Sequence, residues 1–143
     1  MKVQFHNFDF SPAYSARLSQ WLLEVAKKHR FEIEQIIYTL CARDKMLVLN
    51  QYYLDHNTDT DIITFDYSEK NSVSAEVFIS SYMLKINAKK YNQNTENELI
   101  RLFSHGLLHC MGFADKSPAD QKEMRLQEEA CIQLFHVKPV HYV

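Results

Sequence analysis

His105 and His109 stand four residues apart, so on an α-helix both imidazoles project from one face, one turn apart, as in the two-histidine zinc helices. Gly112 follows three residues later. It is placed to end that helix in a left-handed conformation that costs other residues more, turning the chain back toward the histidines. Asp115 then arrives as a third candidate ligand. Two nitrogens and one carboxylate oxygen suit zinc, and three protein ligands leave a fourth position for water, the mark of a catalytic rather than a structural site. The plainer alternative is a pair of buried histidines satisfied by backbone carbonyls. The glycines weigh against it. The chain has only two, Gly106 and Gly112, and both fall inside the motif. Gly106 sits at a mid-helix position where glycine is unfavourable by about 1 kcal/mol against alanine. A glycine beside His105 is expected to open space over the metal for a ligand or for close backbone approach.

The same spacing is the frame of the metzincin peptidases. In those enzymes a Glu follows the first His and serves as general base toward a peptide carbonyl, whereas Gly106 holds that place here. The site keeps a Lewis acid and a metal-bound water, whose pKa can fall to roughly 7, without the usual peptidase base. Phosphodiester hydrolysis can rely more on the metal, and peptidase activity is disfavoured.

A helix carrying this motif needs a domain to hold it. At 143 residues and 46% hydrophobic, the chain fits one domain with a real core. There is no 18-residue apolar run and no basic-then-apolar leader, so a soluble, cytoplasmic protein is expected. Cys41, Cys110 and Cys131 are an odd number at unrelated spacings, which argues against a disulfide framework and reads as small buried hydrophobes. Cys110 points about 100° away from His109 on a helix and should miss the metal. Formal net charge is −2, from 16 basic and 18 acidic side chains, so no global field draws the protein onto nucleic acid and any RNA contact must come from a local patch.

Along the chain, the alternation of Val3 and Phe5, then Phe8 and Phe10, suggests an opening strand bounded by Asn7 and Asp9. Ser11 and Pro12 start a helix with an apolar stripe through Leu18, Trp21, Leu22 and Val25. Residues 31–40 read as a strand and 42–54 as a helix, with Asn50 a plain surface residue. Ile62 to Phe65 and the SVSAEVFIS stretch supply two more strands. A helix follows over 81–91, and Thr95 with Glu98 reads as a capping box opening the long helix that ends at Gly112. Ser117 and Pro118 begin a closing helix through about Phe135, offering Met124, Cys131, Leu134 and Phe135 to the core. Four strands and five helices give a mixed α/β or α+β single domain over residues 1–143.

LNQYYLDHNTDTDIITF at 49–65, AEVFIS at 75–80 and HGLLHCMGFADK at 105–116, in this order and spacing, resemble the YbeY-type metal-dependent endoribonucleases of ribosomal RNA maturation. The likeness covers most of the chain. It implies an α+β fold with a four-stranded mixed sheet packed by helices, and one zinc held at His105, His109 and Asp115. It also implies a cleft for single-stranded or ribosomal RNA, a part in ribosome quality control, and ribosomal small-subunit proteins as further partners, with neither membrane nor DNA involved. Two positions depart from the family pattern. Its common third ligand is His where this chain has Asp115, which adds a negative charge and weakens the Lewis acid. Its Tyr-Arg pair is Tyr53-Leu54 here, and Leu cannot hold a phosphate. Both departures resemble one branch of the family. Substitute cations are Arg101, one turn before His105, and Lys116, Lys85 and Lys89; Arg101 is the best placed for a phosphate contact. The leading expectation is a zinc-dependent endoribonuclease; the alternative is a non-catalytic, zinc-stabilised assembly factor that binds RNA or a ribosomal protein.

Overall fold

The alternation Val73, Ala75, Val77, Ile79 buries every second side chain of strand β4 (Ser72–Ser80), as a strand with one face on a core must. In this computed structural model, which describes residues 1–55 and 58–137, β4 is an inner strand of a four-stranded sheet. The order is β1 (Val3–His6), β2 (Glu32–Cys41), β4, β3 (Ile62–Asp66). The first three run parallel, and β3 pairs antiparallel with β4 through Ile62 opposite Ile79 to Asp66 opposite Ala75. In β2 the register shifts between Ile33 and Gln35. That irregularity moves the buried positions from Ile33 to Ile36 and Tyr38 and hides a simple period of two from the sequence.

Helices α1 (Pro12–Lys28), α2 (Arg43–Leu54), α3 (Ser81–Lys90), α4 (Thr95–Cys110) and α5 (Pro118–His136) complete an α+β domain. Ser11 and Ser117 cap α1 and α5, accepting from the backbone N–H groups of Tyr14 and Asp120, with proline in each first turn. The expected Thr95–Glu98 box is absent. Asn94 caps α4 instead, its Oδ1 accepting from Asn97 N–H at 2.7 Å, which frees Glu98 for a different partner. Most of α4 is buried, Leu102, Phe103, Leu107 and Leu108 completely, because it lies between the sheet and α5. Tyr38 donates its hydroxyl to the Phe103 carbonyl at 2.9 Å, and Trp21 Nε1 donates to the Cys131 carbonyl at 2.9 Å. These two bonds tie α4 to β2 and α5 to α1 inside the core. The other face of the sheet carries a smaller cluster, Cys41, Met46 and Ile63, under α2.

One expectation changes here and two are narrowed. The opening strand stops at His6, since Asn7 takes φ +67° and Phe8 and Phe10 fold back as an aromatic cluster on Phe5 and Phe103. Asn50 is fully buried rather than on the surface, donating to the Thr58 carbonyl at 3.0 Å and to Thr60 Oγ1 at 2.8 Å. It pins the loop that enters β3. Gly106 faces the sheet, where an added Cβ would stand 3.3 Å from Val77 and 3.5 Å from Ile62. Of its two expected roles, glycine there serves the close backbone approach, letting the helix pack against the sheet. Positions 56 and 57 of the 49–65 block and residues 138–143 of the expected domain lie outside the described residues.

Candidate active site

The end of α4 shows how the chain brings Asp115 back. Gly112 has φ +99°; its N–H donates to the His109 carbonyl and the Phe113 N–H to the Leu108 carbonyl, both at 3.1 Å. This pair of bonds is a Schellman motif, with Phe113 packed on the core. The reversal carries Asp115 to His105, whose Nε2 lies 3.4 Å from Asp115 Oδ2. On the other side of the imidazole, Nδ1 lies 2.6 Å from Oε2 of Glu128 on α5. With a carboxylate as partner Nδ1 is the donor nitrogen, and a neutral ring held this way carries its lone pair on Nε2, toward Asp115. His109 is exposed one turn further along α4.

Glu128 and Glu98 are each 2% exposed and share Arg101. Its Nε and Nη2 bond to the Glu98 carboxylate, its Nη1 reaches Glu128 at 3.4 Å, and Asp61 lies 3.5 Å from Nη2. Burial alone lowers the guanidinium pKa; the Glu98 hydrogen bond and the charges of Glu128, Glu98 and Asp61 outweigh it, leaving Arg101 above its ordinary value and firmly charged. Asp61 is itself held by Asn87 Nδ2 at 3.2 Å. Glu128 is not among the expected site residues, although the sequence carries a signal for it: it stands between Met124 and Cys131 in the apolar stripe of α5, and an acid at a core position needs a buried partner.

His105, His109, Asp115, Arg101 and Leu54 all line one cleft of about 1090 Å³ between α5 and the β3 edge. Lys85, Lys89 and Lys116 do not. The cleft carries five carboxylates, Asp61, Glu98, Asp115, Glu128 and Glu129, against the guanidiniums of Arg101 and Arg125, a formal excess of three negative charges that favours a cation. Among the described residues no three His, Cys, Asp or Glu side chains stand close enough to hold an ion as they are placed. The donor set nevertheless fits zinc. Two ligands at about 2.0–2.1 Å in a tetrahedral shell stand about 3.3 Å apart, near the observed His105–Asp115 distance, and His105 has the carboxylate on its far nitrogen that ligating histidines usually have.

Imidazoles and carboxylates lining an open cleft on an α+β scaffold are groups that a metal-dependent hydrolase could use. The chain belongs to the endoribonuclease YbeY family. Residues 2–136 match that family, described as Endoribonuclease YbeY. Its relatives include the Endoribonuclease YbeY of Flavobacterium johnsoniae, 38% identical over 136 residues, covering 92% of this chain and 98% of that one. The protein of the same description from Cytophaga hutchinsonii is 38% identical over 120 residues, covering 83% and 84%. The solution structure of a Thermotoga maritima protein superposes with a TM-score of 0.68 at 22% identity over 93% of this chain and 88% of the other, a likeness of fold.

Proposed function

We propose that residues 1–143 form one metal-dependent endoribonuclease domain that cleaves single-stranded RNA, ribosomal RNA above all, in rRNA maturation and quality control. The observation that carries this reading is His105, whose Nδ1 is held by a buried carboxylate at 2.6 Å while its Nε2 faces Asp115 at 3.4 Å in the cleft. His105, His109 and Asp115 are the proposed ligands of one zinc. When bound, zinc would supply a Lewis acid and a water acidified toward neutrality. Glu128 fixes the His105 ring and its tautomer, and Arg101 holds Glu128 in place. A phosphate contact by Arg101 asks it to release Asp61, the most distant of its three acids. Ribosomal RNA as substrate places the protein in the cytoplasm, with small-subunit proteins as neighbours; no helix among the described residues is long and apolar enough to cross a membrane.

Elemental analysis of purified protein, with cleavage of labelled single-stranded RNA in the presence and absence of chelator, tests the reading. About one zinc per chain and chelator-sensitive cleavage are expected. Zinc and RNA binding without cleavage would favour the non-catalytic assembly factor.

A further inference from the structure

With leucine at position 54, the cleft needs another cation to receive an anionic substrate, and only two guanidiniums line it among the described residues. Arg101 is committed. Its side chain is 20% exposed and its fork is occupied by Glu98 and Glu128, with Asp61 beside it. Arg125 is placed the opposite way. It sits on the cleft-facing side of α5, one turn before Glu128, with its side chain 63% exposed. Its Nε lies 3.9 Å from Glu128 Oε1, too far for a hydrogen bond, and it makes no other ion pair among the described residues. Its donors are therefore available. The Glu128 carboxylate that it approaches is the one bound to His105, so the guanidinium stands one side chain away from the proposed zinc ligand.

We propose that Arg125 binds a phosphate of the RNA beside His105, a proposal that rests on RNA being the substrate. A phosphodiester entering this cleft meets an excess of carboxylates, and an exposed guanidinium can leave a 3.9 Å pairing for a bidentate contact at little cost. Arg101 would have to break shorter, less solvated bonds to do the same.

The test is binding of a fluorescent 2′-O-methyl oligoribonucleotide, recovered intact after each titration, to the zinc-loaded protein over a range of salt. Arg125→Ala should weaken binding at least about tenfold and lower the slope of log affinity against log salt by about 0.7, the loss of one single-strand phosphate contact. Arg125→Lys should restore the slope while leaving affinity below the parent, because the charge returns without the fork. The Lys85→Ala, Lys89→Ala double variant should bind as the parent does. Parent-like affinity and slope in Arg125→Ala, or a loss that appears in the lysine variant instead, would overturn the assignment while leaving RNA as the substrate. A parent that binds no oligoribonucleotide would overturn both.

Discussion

Replacing Glu128 by Gln keeps the shape of the buried side chain but removes the charge shared by His105 and Arg101. Two effects separate by magnitude. At the site, losing the carboxylate partner of a ligating histidine typically weakens metal binding 10–100-fold, or about 1.4–2.7 kcal/mol, here by releasing the imidazole from the tautomer that presents Nε2. In the fold, Arg101 loses one of three acids. Removing one member of a buried ion pair outright costs about 3–5 kcal/mol, but Glu98 remains bound and Asp61 remains at 3.5 Å, so the cost should be nearer 1–2 kcal/mol. Zinc affinity by competition with a chromophoric chelator, and stability by urea unfolding of metal-free protein, read the two effects independently. Parent-like zinc affinity in Glu128→Gln, in a protein of unchanged fold, would refute the claim that Glu128 positions His105.

His105→Ala and His109→Ala should each lose stoichiometric zinc by elemental analysis, since two remaining ligands cannot compete with a chelator. Gly112→Ala should cost about 1–2 kcal/mol in urea unfolding, because φ +99° is strained for a residue with a Cβ although no atom lies within 4 Å of the added methyl; zinc affinity should fall with it as Asp115 loses its approach. Leu54→Arg should raise RNA cleavage by adding a cation to the cleft wall, read as kcat/KM on a labelled oligoribonucleotide. Burial pushes the Cys131 thiol up to about 11, so at pH 8 its thiolate should be about a hundredfold scarcer than that of an ordinary thiol, and alkylation slow until urea is added. The same raised pKa implies stability that is present below about pH 9 and declines as the pH rises toward 11.

Elements with local signals were legible in the sequence. The Ser-Pro starts of α1 and α5 are local chemistry, and so is the glycine that ends α4; all three lie where their residues put them. What depends on packing was less visible. Asn50 looks like any polar residue on a helix until the loop at Thr58 and Thr60 folds against it. The Thr95–Glu98 spacing satisfies a capping pattern, yet Asn94 starts the helix one residue earlier, and burying Glu98 against Arg101 is the stronger demand on that side chain. Gly106 stands out in the sequence for its cost in a helix, but only the sheet beneath it tells which side needs the room.

The site divides along the same line. His105, His109 and Asp115 lie within eleven residues and are joined by one helical turn and one Schellman turn, so spacing alone could group them. Glu128 and Arg125 arrive from another helix, and no local period links them to position 105. The phase of each helix does carry part of the answer. Arg101 and His105 share a face of α4, and Met124, Glu128 and Cys131 share a face of α5, so docking those two faces forces a buried acid against a half-buried cation and an imidazole. An acid in that stripe could not be left unpaired without a penalty of several kcal/mol. The charge that holds His105 is thus also a condition of packing α4 on α5, which is why Glu128→Gln should be felt in both zinc affinity and stability, whereas Arg125→Ala, on the exposed side of the same helix, should be felt in RNA binding and leave the fold unchanged.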